Sequence, residues 1–159
     1  MKVIDTLLGE LPSAINHVGF VTRDLERMTG RHQKLLGVRY ADSWTTDPIP
    51  LKARDASHTV LHVRVAFAQL GPIRLEVIEP LPGPSVYEDH LKRFGEGVHH
   101  FGFDTNDVPA FLEAYRELGV EMLMYGQRAA DAGIGFAYFD TLEQLGVLTE
   151  VVHKAGSRR

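Results

Sequence analysis

The chain states one short pattern twice. His17-Val-Gly-Phe-Val-Thr-Arg-Asp24 in the first half returns as His100-Phe-Gly-Phe-Asp-Thr-Asn-Asp107 in the second. Each copy runs on through a helix-like stretch to Leu-Gly-Val, ending at Val38 and at Val120. Each half then closes on an apolar strand with one carboxylate, Glu76 in the first and Glu150 in the second. Repeated supersecondary units bury their apolar faces against one another, so the duplication limits the fold more than any local propensity does.

The periodicity within each copy predicts β-α-β-β-β. Residues 15–22 alternate as a strand, Thr22 or Asp24 can cap a helix to Leu36, and Gly37 can end it. A strand over 38–46 and a mobile, proline-bearing loop over 47–57 follow. Residues 60–70 and 73–78 read as a hairpin around Gly71-Pro72. A linker helix over 85–94, capped by Ser85 with Asp89 completing its start, precedes the second copy. There, Asn106 or Asp107 can cap a helix that Gly119 stops, and strands are predicted near 121–125, 135–139 and 147–152. The divisions are a leader (1–13), a first module (14–80), a linker helix (81–97), a second module (98–153) and a tail (154–159). The predicted fold class is α+β: paired βαβββ modules forming a curled, eight-stranded, mainly antiparallel sheet, with helices outside and a ligand on the concave face.

Composition narrows the function. The 159 residues carry a formal charge of -4, which does not suit nonspecific nucleic-acid binding. No apolar run reaches the roughly 20 residues that span a bilayer, and the start lacks a secretory pattern. With no cysteine, there is no disulfide framework and no thiolate chemistry, and a cytoplasmic location is expected.

Side chains alternate faces along a strand, so His17 shares a face with Gly19, and Glu76 shares one with Arg74 and Ile78. His100 repeats the register of His17, with His99 predicted to point the opposite way. A lone strand histidine is more often packed than ligating, and Glu76 alone could pair with Arg74. The recurrence favours a metal site built from His17, Glu76, His100 and Glu150, because a buried carboxylate is costly unless paired or metal-bound. Imidazole plus carboxylate suits one divalent ion of Zn, Co, Ni, Mn or Fe. Such an ion polarises a carbonyl and holds the developing enolate. A glutamate that partly detaches can act as base, which makes Glu76 and Glu150 the candidate catalytic residues. His32, His58, His62, His90, His99 and His153 are left to the surface or to supporting roles.

With these residues the chain resembles the vicinal oxygen chelate superfamily (glyoxalase, bleomycin resistance and dioxygenase proteins) over residues 14–152. Val63-Arg-Val-Ala-Phe-Ala-Gln-Leu-Gly71, Leu75-Glu-Val-Ile-Glu-Pro80 and Gly95-Glu-Gly-Val-His-His100 are most similar to methylmalonyl-CoA epimerases. The resemblance implies the four metal ligands named above, an acyl-CoA thioester substrate, a homodimer, and epimerisation between a thioester and a carboxylate with a base on each face. The chain departs from that pattern in two places. Val60 stands where epimerases carry a glutamate, with His58 and His62 nearby as substitutes, and Phe139-Asp-Thr-Leu-Glu-Gln-Leu-Gly146 replaces the usual His-Pro-Lys and Gly-Gly. A glyoxalase-I-like lyase with the same ligands, an extradiol dioxygenase with one glutamate fewer, and a metal-free binder of the bleomycin-resistance kind are the competing readings.

Overall fold

The computed structural model describes residues 15–127 and 133–153; the leader and tail of the sequence reading lie outside them. The elements run β1 His17–Val21, α1 Leu25–Leu36, β2 Trp44–Thr45, β3 Ile49–Ala53, β4 Val60–Leu61, β5 Val63–Leu70 and β6 Ile73–Pro80, then α2 Val86–Phe94. The second copy supplies β7 Gly97–Thr105, α3 Val108–Glu117, β8 Met122–Gln127, β9 Ile134–Phe139, α4 Leu142–Leu145 and β10 Leu148–His153. Helix starts follow the predicted chemistry. The side chain of Asp24 accepts from the Arg27 N–H, Ser85 from Glu88 and Asp107 from Ala110. Asp89 stands in the first turn of α2, and its carboxylate also pairs with His58 at 3.0 Å.

One sheet holds all the strands, in the order β2-β5-β6-β1-β7-β10-β9-β8-β3-β4. Its centre is two matching quartets that meet at the antiparallel β1–β7 seam, with β6 and β10 parallel to β1 and β7. The count is ten strands rather than eight, because the predicted mobile loop contains β3 and the predicted strand over 60–70 is divided at His62 into β4 and β5. Ile49, Leu51 and Ala53 alternate onto the core, and β3 pairs with β8 from Leu51↔Gly126 to Ala53↔Met124. Without β3, β8 would present a row of unpaired backbone groups. Pro50 is tolerated because it precedes the stretch paired with β8. The predicted strand over 38–46 shrinks to Trp44–Thr45 and a bridge from Tyr40 to Ala68, since Asp42 and Ser43 are poor strand formers.

The crossovers show how far the sheet curls. His62 alone separates β4, at one end of the strand order, from β5 near the other. Two Cα steps cover at most ~7 Å, so the two edges nearly meet and the sheet forms a deep cup. Helix α1 packs on the convex side through Leu25 against Ala66 and Val77, and α3 does so through Val108 and Phe111 against Ala137 and Val151. The linker helix α2 differs from the expected outside position. Its Val86, Tyr87 and Leu91 join Val21, Ile78, Tyr138 and Leu148 in the cluster on the concave side.

Candidate metal centre

The β1–β7 seam explains the doubled His-x-Gly. His17 stands opposite Gly102, and His100 stands opposite Gly19. Each ring lies over the facing glycine: a Cβ on Gly19 would come 1.8 Å from Cε1 of His100, and one on Gly102 would come 1.7 Å from Cε1 of His17. Glu76 flanks Gly19 across the β1–β6 ladder, and Glu150 flanks Gly102 across β7–β10. Two rows therefore cross the seam, each reading Glu, Gly, His.

The four predicted ligands converge. His17 Nε2 lies 2.8 Å from Glu150 Oε2 and 3.8 Å from Glu76 Oε2, while His100 Nε2 is 3.3 Å from each carboxylate. The two Nε2 atoms are 3.2 Å apart, and all four donor atoms fall within 4.8 Å of one another. Ligands held ~2.1 Å from one cation are separated by ~3.0–3.4 Å at octahedral or tetrahedral angles, so this donor set fits a single divalent ion. His17, Glu76 and Glu150 form the floor of a cup of about 260 Å³, with His100 fully buried against them and apolar walls that include Trp44, Val63, Val65, Phe67 and Phe136.

Each candidate ligand histidine has a partner on its other nitrogen, which the sequence expectation did not include. His17 Nδ1 meets Asn16 Oδ1 at 2.5 Å, and His100 Nδ1 meets His99 Nδ1 at 3.0 Å. His99 was expected to face away. A bulge between Gly19 and Phe20 leaves it without a cross-strand partner and turns it toward Tyr87 and Tyr138, on the side of His100. Burial, then the charge of His100, holds His99 well below the usual imidazole range, so its neutral Nδ1 accepts from the His100 N–H. The available signal was positional, since both partners directly precede a ligand histidine. Asn16→Ala or His99→Phe should weaken metal affinity by ~10–100-fold, read by chelator competition. Unchanged affinity would mean that packing alone orients the rings.

Tyr87 and Tyr138 share a hydrogen bond of 3.0 Å between their hydroxyls at the cup wall. Burial, then the charge of Glu150, pushes both phenols well above their usual range, so both remain protonated. One hydroxyl donates to the other, which leaves one O–H for another acceptor.

The same environment governs proton uptake. Burial by itself would depress the His100 pKa, but hydrogen bonds and charge from Glu150 and Glu76 outweigh it and raise the pKa to about 9. Burial likewise opposes ionisation of Glu150, and the His100 and His17 rings overcome it and bring that carboxyl down to about 2. The His100 contribution to stability is complete below its ordinary 6.5 and fades as pH rises through about 9. The Glu150 contribution is complete above 4.5 and fades as pH falls toward about 2. Metal must displace the His100 proton, so loading near pH 7 should release about one proton. Calorimetry in buffers of different ionisation enthalpy measures this, and zero release would contradict it.

The proposed substitutes for the glutamate expected at Val60 do not reach the floor. Val60 is exposed on β4; His58 is buried beside Asp89 and Asp55, and His62 lines a separate surface cavity. Among the aromatics, Phe136 and Tyr138 line the cup and Phe103 packs on Phe111.

Fold and floor together define a protein of paired modules around a His/Glu centre, and the chain belongs to the glyoxalase/bleomycin resistance protein/dioxygenase superfamily, whose family model matches residues 16–138. Among its relatives, the uncharacterized protein YqjC of Bacillus subtilis (strain 168) is 26% identical over 144 residues, covering 91% of this chain and 94% of that protein. The mitochondrial methylmalonyl-CoA epimerase of Bos taurus is 23% identical over 138 residues, covering 86% of this chain and 72% of the relative. A Streptomyces coelicolor methylmalonyl-CoA epimerase variant, solved in complex with 2-nitronate-propionyl-CoA, superposes with a TM-score of 0.64 at 25% identity, covering 91% of this chain and 99% of that one. No helix among the described residues is long and apolar enough to cross a membrane.

Proposed function

We propose that the chain is a divalent-metal-dependent isomerase that moves a proton on the carbon next to a carbonyl, in the manner of a methylmalonyl-CoA epimerase, on an acyl-CoA thioester. The observation that carries this reading is the convergence of two imidazoles and two carboxylates on the floor of an apolar cup. A divalent ion held by His17, Glu76, His100 and Glu150 would supply Lewis-acid polarisation of the substrate carbonyl, worth several kcal/mol.

The chain's own residues account for the remaining chemistry. Epimerisation needs a proton acceptor on one face of the carbon and a donor on the other. With Val60, His58 and His62 away from the floor, Glu76 and Glu150 are the pair that can fill those roles. They enter from opposite modules, and each has a second carboxylate oxygen for substrate. One carboxylate removes the α-proton, the other, protonated beforehand, delivers its own proton to the opposite face, and exchange with solvent resets the pair. The dry walls strengthen both the attraction and the proton transfer. The reading includes a homodimer, checked by sedimentation equilibrium.

Incubation with methylmalonyl-CoA in D2O tests the reaction. Deuterium should enter the α-position with the metal-loaded protein and not with Glu150→Gln. No exchange, with turnover of a glutathione hemithioacetal, would move the assignment to a glyoxalase. A wild-type protein that retains no divalent metal would indicate a binder instead.

A further inference from the structure

Arg74 and Glu76 share one face of β6, so an ion pair between them was the simplest alternative to metal binding. It does not form. Glu76 turns to His17 and His100, at 3.8 and 3.3 Å, and the Arg74 guanidinium lies over the Phe67 ring, 5.0 Å from its centroid. Arg27, Arg54, Arg64 and Arg116 each close on a carboxylate, whereas Arg74 has no acidic partner among the described residues. It is also the one Arg or Lys among the described residues lining the cup.

Its position is set by the sheet register. Phe67 stands opposite Glu76, Glu76 opposite Gly19, and Gly19 opposite His100. A guanidinium resting on Phe67 therefore stands in the row that carries two of the four ligands, about one strand spacing, ~5 Å, beyond Glu76. Trp44 lines the same wall, 5.4 Å from Phe67 ring to ring. The stacked aromatic face orients the plane of the fork, while Arg74 itself stays solvent-exposed.

We propose that Arg74 is a specificity residue that receives the free carboxylate of an acidic acyl group while the carbonyl of that group faces the His/Glu floor. The identity of the thioester rests on the proton-transfer reading above; the carboxylate subsite rests on Arg74 itself. A divalent ion held there would have its charge balanced by the two floor carboxylates, so a further cation in the cup favours an anionic substrate group. A guanidinium binds a carboxylate through two parallel N–H···O bonds, which orients the acyl group as well as holding it.

Methylmalonyl-CoA and propionyl-CoA differ by that one carboxylate, so their calorimetric binding to metal-loaded protein isolates the subsite. The wild type should favour methylmalonyl-CoA by about tenfold or more, and Arg74→Met should reduce the preference to within about twofold. Propionyl-CoA affinity and metal content should stay unchanged, and Arg74→Lys should restore part of the preference. A preference that survives in Arg74→Met would mean that the ion alone selects the carboxylate and would overturn the proposal. A wild type that binds both thioesters equally, or neither, would overturn it too. None of these measurements needs turnover: absent deuterium exchange counts against the isomerase reading, while lost discrimination reports on Arg74.

Discussion

Gly102→Ala should abolish the proposed metal binding at the His/Glu centre, and with it the proposed proton exchange, while leaving the sheet assembled. The added Cβ would lie 1.7 Å from Cε1, 2.1 Å from Nε2 and 2.2 Å from Nδ1 of His17, which is inside the ring. The imidazole must then leave its rotamer, and Nε2 loses its position 2.8 Å from Glu150. Overpacking of this kind costs about 1–3 kcal/mol, which a domain of this size survives. The loss of metal affinity should exceed the ~10–100-fold that follows removal of an outer hydrogen-bond partner. Gly19→Ala should behave alike, because its Cβ would meet the His100 ring at 1.8 Å. Gly30→Ala serves as the control: it lies within α1 with nothing within 4 Å of its Cβ, so it should keep the metal and stabilise the chain by about 0.5–1 kcal/mol. Metal analysis beside thermal melts decides the matter, and full metal content in Gly102→Ala would show that the ring has another way to reach the site.

His100→Ala should have a comparable effect by a different route. It removes a donor and also the cation that faces two buried carboxylates when metal is absent, at 3.3 Å from each. Breaking such a buried arrangement costs about 3–5 kcal/mol, so the metal-free variant should melt well below the metal-free wild type. Adding metal should raise the wild-type melting temperature, since a ligand at a thousandfold its Kd contributes about 4 kcal/mol. The variant should show little of that rise, and an equal rise in both proteins would remove His100 from the ligand set.

The repeat made the paired quartets and the convergence of His17, Glu76, His100 and Glu150 legible, because a strand has period two and the same residues recur at the same register. Glu76 with Arg74 and Ile78 toward the cup, and Leu75 and Val77 toward α1, follow from alternation alone. Local capping chemistry placed the helix starts at Asp24, Ser85 and Asp107. What was not legible depended on distant partners. Residues 47–57 carry two prolines and several charges and read as a loop; 49–53 become a strand because β8, from the other module, offers an open edge. The orientation of His99 reversed because a bulge opposite Phe20 altered the alternation on which the expectation relied.

The residues by themselves determined a duplicated α+β chain and the identity of a His/Glu quartet, since both are written in spacing and residue type. Only the tertiary structure decided that the two rows cross at one seam, that Gly19 and Gly102 make room for the opposing rings, and that Arg74 is left unpaired. Those outcomes depend on the register between strands 83 residues apart, as between His17 and His100, and such register is set by packing across the whole sheet rather than by any local segment.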